Sequence, residues 1–296
     1  MVKVLVKEKG CSVRRACQAM QLGRSSYRYK AMKDKIEERL RKQIQRLTRR
    51  YPRYGYRRIT AVLRKAGWKV NKKRIQRLMR MMGLQVKQKT KKRRRLGLST
   101  GIRRKAEYPN HVWSWDLIQD QTADGRMLKC LTILDEYTRE SLRIRVGRYL
   151  TSGEVLRELQ EVIKEYGVPE HIRSDNGPEF IANAMQAWLK EKKICTLYIS
   201  PGEPWENPYI ESFHGKFRDE CLNRELFTSL LEAQIIIADW RKEYNQTRPH
   251  SSLGYKTPKE FKQICGNSPV ATLPTSCHNH HNLEYTNITS GTEIGG

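Results

Sequence analysis

The chain has 296 residues with 58 Lys or Arg against 31 Asp or Glu, a net charge of +27; the length suits about two domains at roughly 150 residues each, and the charge points to a polyanionic partner. No stretch approaches the ~20 apolar residues of a membrane span, and the N-terminal MVKVLVKEKG lacks the apolar run of a secretory signal, so the expectation is a cytoplasmic, nucleoid-associated protein with no membrane partner. Seven cysteines without a CxxC pair fit reduced thiols rather than a disulfide framework. The charge is unevenly placed: residues 1–105 hold 37 basic and 4 acidic side chains, a net +33, whereas residues 106–296 carry a net −6.

In chain order, Ser12 begins a short helix, turn, helix over 12–32, and Lys33 to Arg50 repeats Ile36, Leu40, Ile44 and Leu47 at helical spacing before Pro52. Tyr56 to Ala66 carries Ile59, Val62 and Leu63 on one side. Gly67 suits a C-terminal cap, and Asn71 caps a further helix that turns Ile75, Leu78, Met79 and Met82 inward. Its outward Lys72, Lys73, Arg74, Arg77 and Arg80 match a helix pressed into a major groove against phosphates, the alternative being a solvated basic face. The basic segment KQKTKKRRRLGLSTGIRRK, 87–105, has little to bury and reads as a linker tracking the phosphate backbone.

The texture then changes to strands. Val112 to Gln119 alternates so that Asp116 faces away from Trp113 and Trp115. Met127 to Asp135 is a near-continuous apolar strand, and Glu140 to Val146 alternates again, completing an antiparallel meander. A helix over Ser152 to Tyr166, a strand from His171 to Ser174, a helix near Asn183 to Lys192 and a strand from Cys195 to Ile199 follow. Asp175 stands where the fourth strand ends, before the turn at Asn176-Gly177. Glu211 lies near the start of a helix over Tyr209 to Leu222, with Phe213, Phe217 and Cys221 on its buried side and Arg218 two turns beyond on the face of Glu211.

Phosphodiester cleavage by two divalent ions requires hard oxygen ligands converging on one point, and Asp116, Asp175 and Glu211 supply three carboxylates from two strands and a helix. Asp120, Asp124 and Asp135 read as turn and strand-end acids, and Glu179 and Glu220 as solvent- or phosphate-facing residues. Downstream, Leu230 to Tyr244 is apolar enough for a packed helix, and Arg248 and His250 fit either DNA contact or a folded cap. Cys277, His278, His280 and His281 lie in a polar, Gly/Thr/Asn-rich tail and resemble a metal tract only superficially.

Five blocks carry a family resemblance: WSWD at 113–116, TADGRMLKCLTILDEYTRE at 122–140, VPEHIRSDNGPEF at 168–180, NPYIESFHGKFRDECLN at 207–223 and YNQTRPHSSLGYKTPKEF at 244–261. They resemble the catalytic subunit of the IS-three insertion-sequence transposases, within the retroviral-integrase group of DDE enzymes. The 35 residues between Asp175 and Glu211 match that group's D-D-35-E spacing, and YPRYGYRRI at 51–59 resembles its N-terminal helical region.

The resemblance implies an α/β fold, an RNase H-like integrase catalytic core with a mixed five-stranded sheet, preceded by an all-helical helix-turn-helix DNA-binding region. It implies Mg²⁺ or Mn²⁺, two ions per site, held by Asp116, Asp175 and Glu211, with Arg218 on DNA phosphate and no covalent enzyme–DNA intermediate. The partners implied are the element's terminal inverted repeats, target DNA, further copies of the chain, and an upstream helix-turn-helix product fused by frameshift. The expected organisation is a helical region 1–86, a linker 87–107, a catalytic core with C-terminal cap 108–265 and a tail 266–296. A non-catalytic repressor derived from such an enzyme, and a nuclease unable to join strands, are the rival readings.

Overall fold

The computed structural model describes residues 1–28, 33–86, 105–174, 177, 182–199 and 207–266. Asp175, Glu179, most of the basic linker and the tail with its Cys/His tract lie outside them. The chain divides into two compact units, Met1–Arg94 and Arg95–Gly296.

The first unit is helical: α1 Val2–Lys7, α2 Val13–Ala19, α3 Arg24–Arg28, α4 Lys33–Arg50, α5 Tyr56–Lys65 and α6 Lys72–Met81. Sequence chemistry places the ends. Ser12 accepts a hydrogen bond from the Arg15 amide, and the Asn71 side chain accepts one from the Lys73 amide, each satisfying a donor that the first turn leaves open. Gly67 follows α5 at φ +84°, a left-handed conformation that a Cβ would strain. The apolar stripes of α4, α5 and α6 meet in one core of Leu40, Ile44, Ile59, Leu63, Ile75, Leu78 and Met79. Val2, Ala16 and Cys17 form a small separate cluster that brings α1 onto α2.

The second unit is built on a five-stranded sheet of order β3-β2-β1-β4-β5: β1 Val112–Gln121, β2 Met127–Asp135, β3 Ser141–Gly147, β4 His171–Ser174 and β5 Cys195–Tyr198. β1 is central, antiparallel to β2 and parallel to β4. The period-two side-chain alternation sorts its residues between two cores. Trp113 and Trp115 pack with Leu131 and Ile133 under α7 (Ser152–Tyr166) and α8 (Asn183–Glu191). Ile118, Leu128, Cys130 and Val146 pack on the other side with Phe217, Ala233 and Ile237 from α9 (Pro208–Phe217) and α10 (Leu230–Gln246). A last helix, α11, spans Pro258–Gly266.

The edge strand β3 is covered rather than left open. The Asn245 side chain of α10 accepts from the Ser141 amide and donates to the Ser141 carbonyl, both at 2.9 Å, and Gln234 donates to the Val146 carbonyl. Edge backbone groups that would template another strand are thereby used. Burial pushes the Cys130 and Cys221 thiols up to about 12, so both are protonated packing groups.

α9 departs from the single helix expected over 209–222. It is regular to Phe217 and continues through a π-helical turn, Arg218–Leu222. Phe213, Phe217 and Cys221 are nonetheless all buried, as their spacing predicts.

Candidate active site

Asp116 sits midway along β1, paired with Thr132 of β2, on the sheet face that α9 covers. Its side chain is 28% exposed. Oδ1 accepts from the Leu117 amide at 2.7 Å, which fixes the carboxylate. Glu211 is exposed in the first turn of α9. One turn further, His214 lies against the strand: Nδ1 is 3.6 Å from Asp116 Oδ2, and Nε2 is 2.8 Å from the Thr132 hydroxyl. A residue three positions along a helix shares its face, so Glu211 and the group touching Asp116 project to the same side. Burial, reinforced by the Arg218 charge, pushes the His214 imidazole down to about 4. The ring is therefore neutral at neutral pH, and the 3.6 Å approach, which would count as an ion pair for a charged histidine, is a contact between a neutral ring and a carboxylate.

β4 ends at Ser174, buried, immediately before Asp175 in the chain. Two residues before Asp175, Arg173 is paired at 2.8 Å with the buried Glu136, which also accepts from the Ser114 hydroxyl. Ser114 and Arg173 are register partners, so this buried cluster ties β4 to β1 on the face of Asp116. Arg218 is placed by a 2.8 Å bond from Nη2 to the Gln119 carbonyl of β1.

Several acids take the roles their positions suggest. Asp135 is buried and accepts from the amides of Asn110, Tyr137 and Thr138; burial raises its carboxyl despite those bonds. Asp124 accepts from Thr122 within its turn. Glu220 differs from expectation. Instead of facing solvent or phosphate, it receives a bidentate pair from Arg248, at 2.6 and 2.5 Å, and Arg248 is 2% exposed. The buried Arg248 and His250 both pack on Tyr244, so this segment is a cap on the core.

His111, Glu170 and His171 form a second polar cluster at the N-terminal end of the β1–β4 pair. The Glu107 amide donates to His111 Nδ1 at 3.1 Å, which consumes that lone pair and leaves the proton on Nε2. Histidines that bind metal show the opposite polarity, donating from the nitrogen that does not bind. Tyr108 stacks on His111 and bonds Glu170, completing a structural clasp.

On α6, Lys72, Lys73, Arg77 and Arg80 are exposed and Arg74 is half-buried. Arg74 and Arg77 both reach Glu37 of α4 at 3.4 Å, a carboxylate that also bonds Arg41 at 2.9 Å. The Arg41 bond, chiefly, with the charges of Arg77 and Arg74, holds the Glu37 carboxyl below its usual range.

Comparison with known proteins agrees with this architecture. Residues 106–204 and 192–258 each match an integrase core domain, and residues 35–92 match an HTH-like domain. The chain is 40% identical over 259 residues to the uncharacterized 31.7 kDa protein of insertion element IS407 from Burkholderia multivorans, covering 86% of this chain and 92% of the relative. It is 32% identical over 227 residues to the transposase for insertion sequence element IS904 from Lactococcus lactis, covering 71% and 88%. A simian T-cell lymphotropic virus intasome structure, in complex with PP2A regulatory subunit B56 gamma, superposes with a TM-score of 0.50 at 16% identity over 80% of both chains, a likeness of fold.

Proposed function

The chain belongs to the IS-three family of insertion-sequence transposases, DDE polynucleotidyl transferases with an integrase core, and from that membership we propose that Asp116, Asp175 and Glu211 are the acids at which the element's DNA ends are cut and joined to a target. The observation that supports this most directly is the meeting of β1 with α9, where His214, one turn beyond Glu211, touches Asp116. Carboxylate oxygens are the donors that Mg²⁺ and Mn²⁺ take, and the Leu117 amide holds the Asp116 carboxylate in place through Oδ1. Two such ions, when bound, activate an attacking oxygen and steady a leaving one.

The chain's own groups orient the substrate. Arg218, anchored to the Gln119 carbonyl through one nitrogen, keeps further N–H donors for a DNA phosphate. Water attacks first and the freed 3′-hydroxyl second, with no covalent enzyme intermediate. Lys72, Lys73, Arg74, Arg77 and Arg80 hold the terminal repeats, and two or more copies hold two ends together, with an upstream helix-turn-helix product fused by frameshift as a further partner. Among the described residues no helix is long and apolar enough to cross a membrane; the DNA-rich cytoplasm, at the nucleoid, is the site of action.

The test is a reaction on duplexes carrying the element's ends, in Mg²⁺ or Mn²⁺, with pre-cut ends as a second substrate. The expected result is release of 3′-hydroxyl ends and their appearance in a longer strand. Cutting without joining would reduce the protein to a nuclease, and binding without cutting in either ion would make it a repressor.

The α6 assignment has its own test. If Glu37 holds Arg74 and Arg77 back from phosphate, Glu37→Gln steepens the salt dependence of DNA binding by about 0.9 in log–log slope for each arginine released. An unchanged slope would leave Glu37 as a tie between α4 and α6 alone.

A further inference from the structure

We propose that Arg139 is a positioning residue for Glu211: its guanidinium, stacked on the Tyr209 ring, fixes the first turn of α9, from which Glu211 projects. The inference rests on the reading of Glu211 as one of the three metal-holding acids and adds the group that keeps it in place.

Arg139 lies in the turn between β2 and β3 at φ +62°, a left-handed conformation that glycine takes freely and that strains a residue with a Cβ. The turn forces it there. The Asp135 carboxylate accepts from the Tyr137 and Thr138 amides, and the Arg139 amide donates to the Asp135 carbonyl at 2.9 Å. Nor does the side chain have the partners a guanidinium usually finds. Among the described residues it makes no hydrogen bond and no ion pair, and its Nη1 is buried without a partner. A glycine would avoid both penalties. What the arginine gains is one contact: Cζ sits 3.7 Å from the centre of the Tyr209 ring, well inside the ~6 Å reach of a cation–π interaction.

That contact falls where α9 is otherwise loosely held. The N-cap residue Asn207 makes no side-chain capping bond, its buried Oδ1 has no partner, and Pro208 brings no amide. Tyr209 packs on the cluster of Leu134, Ile210, Phe213 and Tyr244, so its ring is a firm seat for the guanidinium. Glu211 stands two residues further, about 3 Å along the axis at ~1.5 Å per residue. It is exposed, and its carboxylate makes no hydrogen bond or ion pair among the described residues, so its place is set by the turn that carries it. A displacement of about 1 Å at such a group is enough to slow a reaction roughly a hundredfold.

The test compares full-length variants for stability, binding to end-bearing duplexes, Mn²⁺ affinity by electron paramagnetic resonance titration, and cleavage rate of the bound complex. Arg139→Gly is expected to keep wild-type stability, relief of the backbone offsetting the lost stack, and to bind DNA equally. It is expected to hold Mn²⁺ about tenfold less tightly and to cut bound DNA about tenfold more slowly. Tyr209→Leu, which removes the ring face, should match it, Tyr209→Phe should stay near wild type, and the double variant Arg139→Gly/Tyr209→Leu should lose no more than either alone. The contrast between Tyr209→Leu and Tyr209→Phe decides the matter if Arg139→Gly does not fold. A merely structural contact would move stability and leave Mn²⁺ affinity and cleavage rate unmoved; that result, with Glu211→Gln inactive, overturns the positioning role and leaves Glu211 standing. Weaker DNA binding with an unchanged rate in the bound complex also overturns it, by putting the guanidinium on DNA, as do losses that simply add in the double variant. Wild-type activity in Glu211→Gln removes the acid and this inference with it.

Discussion

Asp116→Asn, Asp175→Asn and Glu211→Gln are each expected to lower strand cleavage and strand transfer about a thousandfold, roughly 4 kcal/mol of transition-state stabilisation, while DNA binding stays at the wild-type level. Each change keeps the shape of the side chain and removes the anionic charge, so what is lost is a carboxylate that would hold a divalent ion at the reacting phosphate. Folding is spared for a visible reason. Glu211 is exposed and Asp116 partly so, and the backbone bond to Asp116 Oδ1 can be accepted equally by an amide oxygen. The measurement is product formation per bound complex on end-bearing duplexes. Activity within about tenfold of wild type in any one variant would remove that residue from the site.

Arg248→Ala is expected to destabilise the catalytic unit by about 3–5 kcal/mol, because it leaves Glu220 charged and deprived of its bidentate partner in a buried setting. The size of that loss compares with the whole stability of an ordinary domain, about 5–15 kcal/mol. Denaturant unfolding of the full-length protein reads it directly. The pair stands 28 residues apart in sequence and joins the π-helical turn beyond α9 to the segment following α10. A compensating Glu220→Gln in the same chain should recover part of the loss by removing the stranded charge. A loss under about 1 kcal/mol would mean that the pair is worth no more than a surface contact.

Much of this architecture is legible in the residues. The alternation around Asp116 correctly separates it from Trp113 and Trp115, because a strand with a differently packed core on each side enforces period two at every position. The caps at Ser12 and Asn71 are local chemistry and read locally. What escapes is what depends on distant partners. Glu37 looks like one more charge on a solvated helix until α6 arrives from 37 residues away. Glu220 looks free until Arg248 folds back on it. Thr132 reads as filler in an apolar strand and His214 as a polar residue on a helix, and only the pairing of Asp116 with Thr132 gives either a role. The π-helical turn leaves no mark at all, since the apolar row Phe213, Phe217 and Cys221 continues through it.

The order of contacts along the chain also sets an order in time. The helical core of α4 to α6 is made by neighbours in sequence and forms fast, whereas the parallel β1–β4 pair awaits His171 and the closing ion pair awaits Arg248. At a synthesis rate of roughly 5–20 residues per second, on the order of ten seconds separate the emergence of α6 from that of Arg248. A ribosome making this protein therefore carries a folded, strongly basic head well before the sheet behind it is closed, and each new molecule passes through an interval in which it can grip a nucleic acid but cannot yet cut one.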